Sequence, residues 1–209
     1  MLDTVGQMLG GLFGLKRSNL AVPILDGVFK PNNLLEEAEI VKECAGMEDM
    51  AVDADGRLHI ACGNLVMVLK DDGQTEEVEC YDTVITALAF LGDGRRVVAL
   101  GDRLVIEGRA EPVREAAGKP FRAITALSPT GAGQLLVSDA SAHNGYDRWK
   151  YDLMEKRASG RLVRLDTGSG SSEVLQSGVA WSYGACQRPD GDILLSESWR
   201  HRLRHLGGK

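Results

Sequence analysis

A chain of 209 residues, 44% apolar and 26% charged, has enough apolar material to bury a core, which excludes disorder over most of its length. A formal charge of −6, with basic residues scattered rather than clustered, excludes the positive footprint that a nucleic acid partner requires. Four cysteines, Cys44, Cys62, Cys80 and Cys186, lack CxxC spacing and read as small buried hydrophobes of a reducing, cytoplasmic setting; a disulfide from Cys44 would need an oxidising one.

The chain opens with MLDTVGQMLGGLFGLKRSNL, in which Leu2, Val5, Met8, Leu9, Leu12 and Phe13 fall at helical spacing. A short amphipathic helix is expected there, within a lead-in over residues 1–45. Asp3 and the missing basic n-region argue against a signal peptide, and the segment is too short to span a bilayer, so no integral membrane span is expected.

From residue 46 onward one grammar recurs: apolar strand, Asp/Gly turn, apolar strand. It is read at MAVDADGRLHIA (50–61), LAFLGDGRRVVAL (88–100), LSPTGAGQLLVSD (127–139) and CQRPDGDILLSES (186–197). The turn glycines Gly56, Gly94 and Gly131 lie 38 and 37 residues apart, about the length of one four-stranded blade. The step from Gly131 to Gly191 is 60, and the excess falls in the charged, helix-permissive stretch 141–159.

NLVMVLK and TEEVECYD read as the outer strands of the first blade, and GRLVRLDTG with SSEVLQSG as those of the third. GDRLVIEGRAEPVREA (101–116) is expected to complete the second. The fold class is therefore all-β, a β-propeller, because a sandwich has no reason to keep so regular a period. Blades are expected near 46–82, 83–119, 120–178 and 179–209, with a helical insertion in the third. Four blades where about six are expected suggest truncation, or closure by self-association through an open blade edge.

The stretch from Leu135 to Leu206 carries a more specific pattern. Its parts are Ser138-Asp139-Ala140-Ser141, a charged insertion ending Asp152-Leu153-Met154-Glu155, then Gly160-Arg161-Leu162-Val163, and finally Leu195-Ser196-Glu197-Ser198-Trp199. In that order they resemble the core of the strictosidine synthase-like family, and AVPILDGVFKPNNLLEEAEIV resembles the lead of its bacterial members. The resemblance implies a six-bladed propeller related to gluconolactonases and paraoxonases. It also implies action on a small molecule at the axial pocket, by lactone or ester hydrolysis or by amine-aldehyde condensation.

Metal-dependent relatives hold calcium with inner-strand side chains. Counting back eight residues from each turn glycine gives Glu48, Thr86, Ala123 and Tyr183. Glu48 is the only matching ligand, too few for a calcium shell of six to eight oxygens, so no cofactor is expected and calcium is disfavoured. In the metal-free branch the resemblance places the catalytic glutamate in a late blade, beyond this sequence.

Glu48, Asp49, Thr86, Ser182 and Tyr183 are the pocket candidates. Trp149, Tyr151 and Trp199 read as packing for the insertion, and Asp139 as a cap. The competing expectations are an enzyme on small molecules, a non-catalytic propeller binding a ligand or partner at the same mouth, and a fragment closed by another chain.

Overall fold

A computed structural model describes Leu34 and residues 36–207 apart from Ala132; the helix expected near the start of the chain lies outside these residues. The chain divides into Met1–Ile40 and Val41–Lys209. In the first unit the described residues, Leu34 and 36–40, are exposed and form neither helix nor strand. The strands all belong to the second unit.

Successive antiparallel sheets fill it. The first sheet runs β1 (Met47–Val52), β2 (Leu58–Cys62), β3 (Leu65–Leu69), β4 (Thr75–Cys80). The second runs β5 (Ala87–Phe90), β6 (Arg96–Ala99), β7 (Leu104–Ile106), and a small hairpin of β8 (Glu115–Ala116) and β9 (Lys119–Pro120) follows it. The third runs β10 (Ile124–Gly131), β11 (Gln134–Asp139), β12 (Gly160–Asp166), β13 (Ser172–Val179), and the fourth β14 (Ser182–Gln187), β15 (Ile193–Glu197), β16 (Arg202–Leu206). Between β11 and β12 lie a 3₁₀ turn, Tyr146–Arg148, and the helix α1 (Trp149–Glu155).

Turn chemistry explains the hairpins. Asp53 accepts the N–H groups of Asp55 and Arg57, and Gly56 takes φ +80°. Asp93 with Gly94 and Asp190 with Gly191 repeat the device. The third sheet differs: its turn holds two glycines, and Gly133, at φ +77°, rather than Gly131 takes the corresponding conformation.

The second sheet departs from expectation. Of the segment expected to complete it, residues 101–116, β7 joins the sheet, while the rest gives one bridge, Val113 to Leu104, and then enters the β8–β9 hairpin. Gly108, at φ +77°, turns the chain away after β7, and Pro112 has no N–H to give a ladder.

Period-two alternation builds the core. On β6, Val97 and Ala99 face the third sheet while Val98, with Leu100 just after the strand, faces the first; on β11, Leu135 and Val137 face the second sheet while Leu136 faces the fourth. The second and third sheets are thus buried on both faces. The first and fourth leave Met50, Val52 and Leu203 exposed. The leading strands lie side by side in chain order, β1 on β5, β5 on β10 and β10 on β14, as strands nearest a common axis do.

The cysteines overturn the expectation of buried thiols. Cys44 and Cys62 form a disulfide, and Cys80 and Cys186 are exposed. Their sequence spacing carries no trace of this pairing, because strand β1 and its hairpin bring the two together.

Candidate ligand site at the mouth of the leading strands

Three of the four leading strands begin with an irregularity that turns one side chain out of register. Glu48 stands between the pairs Met47–Cys62 and Asp49–Ala61, Thr125 between Ile124–Asp139 and Ala126–Ser138, and Tyr183 between Ser182–Glu197 and Gly184–Ser196. In the second sheet Thr86 donates its N–H to the Ala99 carbonyl next to the Ala87–Ala99 pair, which makes it the equivalent residue. The third position is therefore Thr125. Ala123, reached by counting from Gly131, is two residues early because the turn is longer there; it is buried beside Ala140 and Trp181.

The structure separates the sequence candidates. The Glu48 carboxylate accepts the Tyr146 hydroxyl at 2.9 Å. Asp49 instead accepts the Leu88 N–H at 2.9 Å and the Met50 N–H at 2.8 Å, tying the first sheet to the second. Thr86 Oγ1 accepts the Gly101 N–H at 3.2 Å, and Thr125 Oγ1 donates to the Ser182 carbonyl at 2.6 Å. The Ser182 hydroxyl is buried without a hydrogen-bond partner. Tyr183 is 55% exposed and faces a cavity.

That cavity, of about 200 Å³, is walled by Tyr146, Trp149, Trp181, Tyr183, Ser198 and Trp199. All three tryptophans of the chain are in it. Trp181 and Trp199 stack with ring centroids 5.0 Å apart, and Trp149 lies 6.2 Å from Trp199. Trp149 and Trp199 thus pack the insertion as expected and line the cavity as well. Tyr151 is outside it, exposed, with Arg148 over its ring. Trp181 has φ +62°, a left-handed conformation that costs an aromatic residue on the order of 1–2 kcal/mol and is held only where the surroundings determine it.

Three anchors hold these walls. Buried Asp152 on α1 accepts Trp199 Nε1 at 2.9 Å and the Ser141 hydroxyl, clamping the insertion to the fourth sheet. Asp139, at the end of β11, accepts the Ala123 N–H and pairs with buried Arg161, each at 3.0 Å. Glu197, at the same place on β15, accepts the Ala180 N–H at 2.7 Å and Arg204 Nε at 2.9 Å, with Arg202 beside it. Burial pushes the Glu197 carboxyl up, but the Ala180 N–H and the two guanidinium groups hold it below the ordinary carboxylate range.

Tyr146 is the wall shared with a second cavity of about 530 Å³, which Thr86, Arg103 and Arg122 also line. Burial, and then the hydrogen bond and charge of Glu48, push its phenol well above the usual value, so it remains a donor across the neutral range. Sequence reasoning missed Tyr146, which has no counterpart in the repeat. It also missed Trp181, although its signal was present: it lies ten residues before its turn glycine, as Gly46 does.

The donors at the mouth do not fit calcium. One Glu48 oxygen is engaged by Tyr146, the two threonine hydroxyls are committed to backbone groups, and Tyr183 offers a phenol. Among the described residues no three histidine, cysteine or carboxylate side chains converge as a metal shell would need, and no helix is long and apolar enough to cross a membrane.

Residues 27–64 match the family model described as strictosidine synthase-like, N-terminal. No curated protein matches the sequence. Solved structures do: a gluconolactonase from Xanthomonas campestris aligns at 14% identity and TM-score 0.64 over 80% of this chain and 60% of its own, and a virginiamycin B lyase from Staphylococcus aureus at 12% and 0.52 over 77% and 55%. At such identities the likeness is one of fold, the β-propeller, and this chain spans about three fifths of the gluconolactonase. Together the family model and the fold relate the chain to the strictosidine synthase-like group.

Proposed function

We propose that the chain is a strictosidine synthase-like propeller protein that takes a small organic amine, in its ammonium form, at the aromatic mouth. The observation that carries this reading is the wall of three tryptophans and two tyrosines with the Glu48 carboxylate one hydrogen bond behind it. Aromatic faces attract a desolvated ammonium through their quadrupole, and a nearby carboxylate adds charge complementarity. Lys150 already rests over the Trp149 ring at 5.5 Å, the same contact made by the protein's own cation. Of the chemistries the resemblance implies, amine-aldehyde condensation suits such a site better than metal-assisted hydrolysis. The condensation joins nitrogen to the carbonyl carbon and releases water once the ammonium has given up a proton, and we assign Glu48 to accept that proton, in place of the late-blade glutamate that the resemblance implies.

The test is a titration of tryptophan fluorescence with phenethylammonium and with its neutral counterpart, phenethyl alcohol. Saturable quenching by the amine, several-fold tighter than by the alcohol, is expected, and Glu48→Gln should weaken the amine about fivefold, roughly 1 kcal/mol. Equal response to both probes would overturn the reading. Turnover after adding an aldehyde separates an enzyme from a non-catalytic binder at the same mouth. In this proposal the whole protein is six-bladed, with further blades or another chain covering the exposed outer faces of the first and fourth sheets. Sedimentation of the chain tests that part.

A further inference from the structure

The end of the second strand does the same work in three of the four sheets, with different chemistry. Asp139 and Glu197 stand six residues after their turn glycines, Gly133 and Gly191, and each accepts a backbone N–H of the segment that leads into its sheet, Ala123 or Ala180. Six residues after Gly56 stands Cys62, bonded through sulfur to Cys44 in the corresponding lead-in. Where the third and fourth sheets use a carboxylate to fasten the lead-in, the first uses a disulfide. The second has Leu100 there, buried in the core.

We propose that the Cys44–Cys62 disulfide is a redox-controlled clasp on the ligand mouth, opened by thiol-disulfide exchange with a dithiol reductant. The lead-in that it fastens is short. Only Ala45 and Gly46 separate Cys44 from Met47, and the next two residues are Glu48, which receives the Tyr146 hydroxyl, and Asp49, which caps the Leu88 N–H of the neighbouring sheet. Both cysteines are partly exposed, so a reductant can reach the bond. Attack by one thiolate of the dithiol on one sulfur and resolution by its second thiol transfers two electrons; the pair gains two protons and the reductant leaves as a disulfide. With the clasp open, the lead-in keeps the Gly63-to-Gly46 backbone hydrogen bond and the Met47–Cys62 pairing but loses its covalent tie to β2, so Glu48, next to that pairing, is held toward Tyr146 less firmly. The closed form is the ligand-competent form.

The effect on ligand rests on the amine reading above; the clasp itself does not. Thiol labelling of the full chain under native conditions should find two reactive cysteines, Cys80 and Cys186, before dithiothreitol and four after it. Four before reduction, in protein purified under air, would overturn the proposal. Hydrogen exchange over residues 44–49 should quicken on reduction in the Cys80→Ser/Cys186→Ser variant and be equally fast with or without reductant in Cys44→Ser/Cys62→Ser. Unchanged exchange on reduction would overturn it. Phenethylammonium affinity should fall roughly 5- to 20-fold on reduction, within the usual range for coupled sites. Equal affinity in the two redox states defeats the clasp. Absence of amine binding in both states, with the exchange change intact, defeats only the ligand reading.

Discussion

The loop that carries Trp181 into the fourth sheet is held from behind by Glu197, a buried carboxylate bridging the Ala180 N–H and two arginines, whereas the loop leading into the first sheet is held by a bond between two sulfurs. Both fasten a segment at the same height of the propeller, but they answer to different conditions. An ionic anchor weakens in acid and ignores redox state; a disulfide does the reverse over the same range. The half of the mouth with Trp181 and Trp199 is therefore conditional on pH, and the half with Glu48 on redox state.

The comparison breaks most severely at Asp139, the third sheet's version of the ionic anchor. Asp139→Asn leaves the buried Arg161 guanidinium with carbonyl partners but no countercharge, and about 3–5 kcal/mol of stability should be lost in a urea titration. Glu197→Gln should cost less, about 2–4 kcal/mol, because Arg202 and Arg204 can turn to solvent and the amide oxygen still serves the Ala180 N–H. Its pH signature is more telling. The folded Glu197 pKa lies below its ordinary 4.5, so its contribution is complete above that value and drains as pH falls toward the folded pKa. Thermal melts between pH 6 and pH 3 should show a shallower acid limb for Glu197→Gln than for the parent. Reduction of Cys44–Cys62, which closes a segment of 18 residues, should lower stability by about 2–3 kcal/mol at neutral pH and leave the Glu197 acid limb unmoved.

These anchors mark how far the sequence could be read. Strands and turns were legible because each hairpin is a local matter: an Asp that caps its own turn, a Gly at positive φ, and apolar residues at every second place. The ring of leading-strand residues was half legible. Counting from turn glycines reached Glu48, Thr86 and Tyr183, and failed at Thr125 because the Thr130–Gly133 turn has two glycines of positive φ and the count took the first. Glu48 and Asp49, adjacent in sequence, are both pocket candidates, yet neighbouring strand residues point to opposite sides, and one carboxylate goes to the mouth while the other goes to the next sheet's backbone. Tyr146 and the disulfide were beyond reach, since both depend on contacts that only the assembled sheets create.

The finest test concerns a single backbone conformation used twice. Ten residues before their turn glycines, the first sheet has Gly46 at φ +77° and the fourth has Trp181 at φ +62°. Glycine accepts that conformation freely; tryptophan holds it because its ring is buried against Trp199 and Ala123. A Cβ at position 46 would meet nothing closer than the Gly63 nitrogen at 4.0 Å, so Gly46→Ala isolates the conformational cost without a clash. It should destabilise by about 1 kcal/mol, and Gly46→Asn by less, because asparagine tolerates the left-handed region. Chemical denaturation checks both. If the clasp fixes this loop, the alanine variant should also show faster thiol labelling at Cys44 and Cys62 once dithiothreitol is present, since strain at Gly46 favours the open form. A Gly46→Ala protein as stable as its parent and no faster to reduce would mean that the first sheet's lead-in is free to choose another path, and the likeness between the two anchors would end there.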